Sequence, residues 1–141
     1  MADGRLELEI VTPARRVLSQ AVDEVRAPGW DGLFGVRPGH TPFLARMRAG
    51  ELVARVGKGH DAEELVFAVG EGFVQVAEDK VVVLAATAER ADEIDVERAE
   101  KELETEGRQL GSEKEGTPGY EHRQAHIERA SVRIAVAKRR G

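Results

Sequence analysis

The stretch Leu65-Val66-Phe67-Ala68-Val69-Gly70-Glu71-Gly72-Phe73-Val74-Gln75-Val76-Ala77-Glu78-Asp79-Lys80-Val81-Val82-Val83-Leu84-Ala85 decides the fold class. It holds the three most apolar runs of the chain, 65–69, 73–77 and 81–85. Gly70-Glu71-Gly72 and Glu78-Asp79-Lys80 separate them as tight connections. Short strands joined by such turns form antiparallel sandwiches or barrels. Val81-Val82-Val83-Leu84 is apolar on both faces, which places that strand centrally.

The same reading extends toward the N-terminus. Leu6, Leu8 and Ile10 alternate with Arg5, Glu7 and Glu9, the period of a half-buried strand. A strand over Val22–Arg26 is expected to end at the turn signal Ala27-Pro28-Gly29. Leu33–Val36 is a short apolar run between Gly32 and Pro38-Gly39. In Glu51–Val56, Leu52, Ala54 and Val56 share one face. Gly29-Trp30-Asp31-Gly32 and Gly57-Lys58-Gly59 read as hairpin connections. Their glycines, with Gly70 and Gly72, are expected at positive φ.

Near residue 88 the period changes. Apolar positions downstream are spaced by three and four, and charge dominates. Asp95 is the expected N-cap of a first helix with a thin stripe of Val96, Ala99, Leu103 and Leu110. Gly111 to Gly119 is a polar turn. From about Tyr120 a second helix carries Ile127, Ala130, Ile134 and Ala137. These alanine-rich stripes bury little area, so neither helix is stable alone. Residues 89–106 hold nine acids against Arg90, Arg98 and Lys101. Residues 123–141 hold Arg123, Arg129, Arg133, Lys138, Arg139 and Arg140 against Glu128. Folded as a hairpin, the acidic and basic helices attract. The expected architecture is thus an antiparallel β-sandwich over 1–88 followed by a two-helix antiparallel hairpin over 89–141.

Composition narrows function. The 141 residues contain no cysteine, which removes disulfides, thiolate metal sites and cysteine nucleophiles. No apolar run approaches a membrane span, and Met1-Ala2-Asp3-Gly4-Arg5 does not lead into a signal-peptide core. A net charge of −5 argues against a nucleic-acid partner, and Lys138-Arg139-Arg140 reads as helix-end solvation. His122 and His126 stand four apart on a helix without a third ligand, so no metal site is expected. His40 is the one base placed in a loop, with no serine nucleophile near it in sequence, so no catalytic residues are assigned. Gly70-Glu71-Gly72 lacks the lysine of a phosphate loop. Trp30 either caps the sandwich or anchors a protein interface; both readings stand on sequence alone.

The order of motifs then carries a resemblance. Ala27-Pro28-Gly29-Trp30-Asp31-Gly32-Leu33-Phe34-Gly35-Val36-Arg37-Pro38-Gly39-His40-Thr41-Pro42 resembles the hallmark loop of the epsilon-subunit family of F-type ATP synthases. Leu8–Pro13, Phe67–Val74, Val83–Arg90 and Glu93–Ala99 continue the match in the family's order, over about residues 5–106 and again at 121–137. The resemblance implies a non-catalytic subunit of the central rotor of a proton-translocating ATP synthase, joining the gamma subunit to the c-subunit ring. It implies a peripheral position on the cytoplasmic face of the bacterial inner membrane, without insertion. Asp31, Arg37 and His40 become candidates for c-ring contact; family members often carry an acid where Leu33 stands. The hairpin would pack on the sandwich, or extend along gamma toward the alpha and beta subunits and inhibit ATP hydrolysis. Some members bind ATP through an Ile/Leu-Asp-x-x-Arg-Ala motif, here Ile94-Asp95-Val96-Glu97-Arg98-Ala99. Glu89, Arg129 and Arg133 match further positions, while Thr105 replaces a basic one. No cofactor is required, and ATP would be regulatory. Arginines suit phosphates and Asp95 suits an adenine amine or ribose; as a purely structural set, Asp95 caps a helix and Arg98 makes a hairpin ion pair. An ATP-sensing module outside any ATP synthase, or a small hydrolase built on His40, are the alternative functions.

Overall fold

The computed structural model describes residues 5–140, so the expectation drawn from Met1–Gly4 lies outside the described residues. Within them run ten strands: β1 (Leu6–Val11), β2 (Arg16–Val22), β3 (Glu24–Gly29), β4 (Gly32–Val36), β5 (Phe43–Met47), β6 (Gly50–Val56), β7 (Glu63–Val69), β8 (Gly72–Ala77), β9 (Lys80–Ala85) and β10 (Ala88–Arg90). Two helices follow, α1 (Val96–Leu110) and α2 (Pro118–Arg140). The chain divides into two compact units between Arg90 and Ala91. The boundary expected at 88/89 falls inside β10, whose Ala88, Glu89 and Arg90 pair antiparallel with Val69, Ala68 and Phe67. The structure therefore moves it two residues downstream and puts Glu89 in the strand unit.

The strands run in the order β10-β7-β6-β3-β5-β8-β9-β1-β2, with β4 paired to β3. All these pairs are antiparallel except β1 with β9. Alternation builds the core: Leu6, Leu8, Ile10, Val74, Val76, Val81 and Val83 are buried, joined by Leu52, Ala54 and Phe67 from other strands. Packing is mostly aliphatic, with Phe67 the largest side chain fully inside. Burying each Leu, Ile, Val or Phe contributes roughly 1.5–3 kcal/mol. β9 is central in strand order, as its apolar run requires, yet only one of its faces is buried. Leu84 on the other face is 48% exposed.

Local readings fail where pairing overrides composition. Ala27-Pro28-Gly29 is not a turn: Pro28 and Gly29 continue β3, opposite Leu33 and Gly32 of β4. Proline has no N–H to offer the ladder, but its carbonyl still accepts from Arg48 N at 2.8 Å. The turn proper is Trp30-Asp31. Gly32, Gly57 and Gly59 do have positive φ, whereas Gly29, Gly70 and Gly72 do not. A Cβ on Gly72 would stand 1.8 Å from the carbonyl oxygen of Leu84, so this glycine is required by close approach of two strands.

The second unit opens with a short 3-10 turn, Ala91–Glu93. Asp95 caps α1, its carboxylate accepting from Arg98 N at 3.0 Å. The second helix starts at Pro118, two residues before the expected Tyr120. Thr117 is the reason: its hydroxyl accepts from Tyr120 N at 3.3 Å, and Pro118 occupies the first position, where no N–H is needed. No helix of the described residues is long and apolar enough to cross a membrane.

Candidate functional site

The three residues assigned to c-ring contact do not form one cluster. Asp31 sits in the β3–β4 turn, whereas Arg37 and His40 follow the other end of β4. Five strand residues, about 17 Å at ordinary strand rise, separate them. The 37–42 loop is held in place. His40 N donates to Arg37 O at 3.1 Å, and Gly39 N donates to the Asp79 carboxylate at 2.6 Å. His40 Nδ1 lies 2.7 Å from Thr41 O, and its ring packs 4.9 Å from that of Phe43. The Arg37 guanidinium reaches Glu24 at 3.0 Å while remaining 78% exposed. Beside it, Asp23, Arg55 and Lys58 help line a cleft of about 470 Å³. His40 is thus shaped as a fixed surface group.

The Trp30 ring does not close over the core. It stands 43% exposed with the Arg46 and Arg48 guanidinium carbons 4.1 and 4.5 Å from its centre. Next to it an open groove of about 520 Å³ runs between β4 and β5, lined by Leu33, Phe34, Phe43 and Leu44 among others. Leu33 and Leu44 are 78% and 68% exposed. Across the outer face Arg46 pairs with Phe73, and Phe73 with Leu84. The result is an apolar outer surface on β5, β8 and β9, edged by cations. Sequence reasoning missed Arg46 and Arg48 because β5 was not recognised as a strand; its alternation of Leu44 and Arg46 was the available signal.

In the helical unit, attraction between an acidic and a basic helix is realised in specific pairs. Arg123 is the hub, donating to Glu106 and Glu113 at 3.1 Å each and to Gln109. Hydrogen bonding to Glu113, with Glu106 adding to it, raises the guanidinium above its already high pKa. Glu102 receives Arg133 at 3.5 Å and lies 3.8 Å from His126 Nδ1. The His122 and His126 rings are 4.5 Å apart. Among the described residues no group of three or more His, Asp or Glu is arranged to hold a metal ion.

The residues assigned to ATP are divided. Glu89 belongs to the strand unit, and Ile94, Asp95, Arg98, Ala99, Arg129 and Arg133 belong to the helical unit. Within the latter, Asp95 is engaged as a cap and Arg133 by Glu102. Ala99 is fully buried and contributes packing. Arg98 is exposed and its side chain has no hydrogen bond or ion pair among the described residues, so the expected hairpin ion pair does not form.

Comparison with known proteins accounts for this architecture. The family described as ATP synthase, Delta/Epsilon chain, beta-sandwich domain matches residues 5–91. The chain is 50% identical over 140 residues to ATP synthase epsilon chain 2 of Syntrophotalea carbinolica, covering 97% of this chain and 96% of the relative. It is 48% identical over 134 residues to the ATP synthase epsilon chain of Anaeromyxobacter dehalogenans, covering 95% and 98%. A chain in the cryo-EM structure of the Euglena gracilis mitochondrial ATP synthase OSCP/F1/c-ring shares the fold with a TM-score of 0.75 at 19% identity, over 94% of this chain and 81% of that one. One in the Tetrahymena thermophila mitochondrial ATP synthase central stalk and c-ring does so with a TM-score of 0.60 at 11% identity, over 94% and 96%. With the family's sandwich spanning its strands and such relatives matched over almost their whole lengths, the chain belongs to the ATP synthase delta/epsilon-chain family, whose members are non-catalytic subunits of that enzyme.

Proposed function

We propose that this chain is the rotor epsilon subunit that couples gamma to the c ring of a proton-translocating ATP synthase, and that its helical unit restrains ATP hydrolysis. The observation that carries the coupling role is the exposed apolar face of Phe73 and Leu84 beside Leu44. Large apolar side chains grouped on a strand surface mark a protein interface. Gamma docks there. The c ring is met by the turn and loop at the two ends of β4, through Asp31, Arg37 and His40, so the contact is spread along the strand. The chain sits peripherally on the cytoplasmic face of the bacterial inner membrane.

Inhibition rests on the helical unit. It is compact by itself, its buried apolar side chains among the described residues are Ala99, Ala130 and Val136, and ion pairs join its helices. Such a unit separates at modest cost, and once released its basic helix has alpha and beta surfaces to reach. Purified chain mixed with its cognate gamma at micromolar concentration should form a complex; none forming would end this reading. Removing residues 91–141 from the assembled enzyme should leave assembly intact and raise hydrolysis, and unchanged hydrolysis would end the inhibitory part.

A regulatory ATP site is favoured by one observation, the exposed guanidinium of Arg98, without a partner among the described residues and one turn from Asp95. Phosphate would go to Arg98, and ribose or adenine to the second carboxylate oxygen of Asp95. Arg129 and Arg133 complete the site once Arg133 leaves Glu102. Calorimetric titration of the full chain decides: no heat at millimolar ATP removes the site. Turnover of ATP by the isolated chain would overturn the non-catalytic assignment.

A further inference from the structure

We infer that the groove between β4 and β5 receives an acidic side chain of the gamma subunit, its carboxylate seated on the Arg46 guanidinium that lines the groove, with Arg48 on the same indole ring adding positive charge beside it. The inference rests on the gamma-docking reading above and deepens it.

Arg46 and Arg48 share one indole ring. Both guanidinium carbons stand within 4.5 Å of its centre. The turn is fixed by three hydrogen bonds: Trp30 N to Arg46 O at 2.9 Å, Arg48 N to Pro28 O at 2.8 Å, and Arg48 Nε to Trp30 O at 2.9 Å. Among the described residues neither arginine has a carboxylate partner, and Asp31 in the same turn pairs with neither. Stacking on an aromatic face uses the flat side of a guanidinium and leaves its in-plane N–H groups for a planar anion. Two like charges are therefore held against one ring, and Arg46, which lines the groove, presents unused donors to a carboxylate there.

The walls specify what carries that carboxylate. Leu33 and Leu44 flank the groove and are largely exposed. β4 pairs with β3 and offers its other edge to the groove. Arg46 lies cross-strand from Phe73, so the cationic pair borders the apolar face assigned to gamma. One partner covering that face reaches the groove without a break. The occupant is thus an acidic residue flanked by apolar ones on gamma.

The test uses the full chain and purified gamma, with affinity read by surface plasmon resonance at low and high salt. R46E/R48E should weaken binding about 100-fold, R46Q/R48Q less, and the neutral pair should flatten the salt dependence. Thermal melts of both variants matching the wild type keep the comparison at the surface. If wild-type chain fails to bind gamma, the docking reading falls and this inference with it. If wild type binds and R46E/R48E stays within twofold, the inference alone falls. Phosphatidylglycerol vesicles form the second arm. Vesicle binding that R46E/R48E abolishes, with gamma affinity unchanged, would assign the arginines to lipid phosphate and overturn the inference.

Discussion

Asp95 is assigned two tasks that a graded substitution can separate. It caps α1 by accepting Arg98 N at 3.0 Å with one carboxylate oxygen. It is also the acidic member of the proposed ATP site. Losing an N-cap costs about 1 kcal/mol, and losing a carboxylate at the positive end of the helix dipole costs roughly 0.5 kcal/mol more. Asp95→Ala removes both, about 1.5 kcal/mol, or about tenfold in the opening equilibrium of the first turn. Asp95→Ser keeps a capping oxygen and loses only the charge, about twofold. Amide hydrogen exchange at Arg98 reads this directly, because that N–H is the capped one. Exchange should accelerate about tenfold in the alanine variant and about twofold in the serine variant. Arg98 exchange within twofold of wild type in Asp95→Ala would refute the capping energetics. ATP titration of the serine variant then isolates the second task, since its cap survives: ATP affinity equal to wild type would remove Asp95 from the site.

Four further outcomes follow from the geometry. Gly72→Ala drives a Cβ into the Leu84 carbonyl and should force β8 from β9, lowering the melting temperature by more than about 10 °C; Gly35→Ala, with 3.9 Å to its nearest neighbour, should stay close to wild type in the same melt. Arg123→Gln removes the hub joining Glu106 and Glu113 and should widen the α1–α2 turn, read as lower energy transfer between dyes at positions 104 and 128. The Arg123 pKa is raised above a value already far from neutrality, so the hub's contribution is complete below that range and lost only in strong alkali; from pH 6 to pH 9 the transfer should be constant in wild type. Phe73→Ser should weaken gamma binding about tenfold or more while lowering the melting temperature by only a few degrees, because the ring is already 45% exposed in the free chain.

Much of the fold was legible because alternation and burial agree. Leu6, Leu8 and Ile10 were placed inward and are fully buried, and Asp95 was placed as the cap it is. What was not legible depends on pairing between distant segments. β2 was missed since Arg16, Ser19 and Gln20 dilute its pattern, and its register comes from β1. Pro28-Gly29 reads as a turn in isolation, but β4 extends β3 through it. At Gly70 and Gly72 the residue type was informative and the reason assigned to it was wrong, since the constraint is close approach, of Thr87 and Ala86 at Gly70 and of the β9 backbone at Gly72, and not a local dihedral. For the candidate sites, residue types at Asp31, Arg37 and His40 suggested one contact, while the length of β4 separates them. The Arg46–Trp30–Arg48 stack joins a turn to a strand that sequence did not delimit.

The two units are stabilised by different forces, and the proposed coupling and regulatory roles each draw on one of them. The sandwich is held by buried aliphatic side chains from almost every strand, a term insensitive to salt and lost only cooperatively. It keeps its apolar outer face in a fixed shape, as the proposed coupling role requires. The helical unit buries Ala99, Ala130 and Val136 and relies on Arg123, Arg133 and their carboxylates. Partly exposed ion pairs of this kind are individually weak and exchange one carboxylate for another at little cost. Among the described residues of this unit only those three apolar side chains are buried, two of them alanines, which lowers the usual barrier to opening a packed domain. A neighbouring acidic surface can then replace Glu102 and Glu106 as partner for the basic helix. Strengthening the hairpin with larger apolar residues would therefore stabilise the chain and, by the same step, remove the exchange on which the proposed regulation depends.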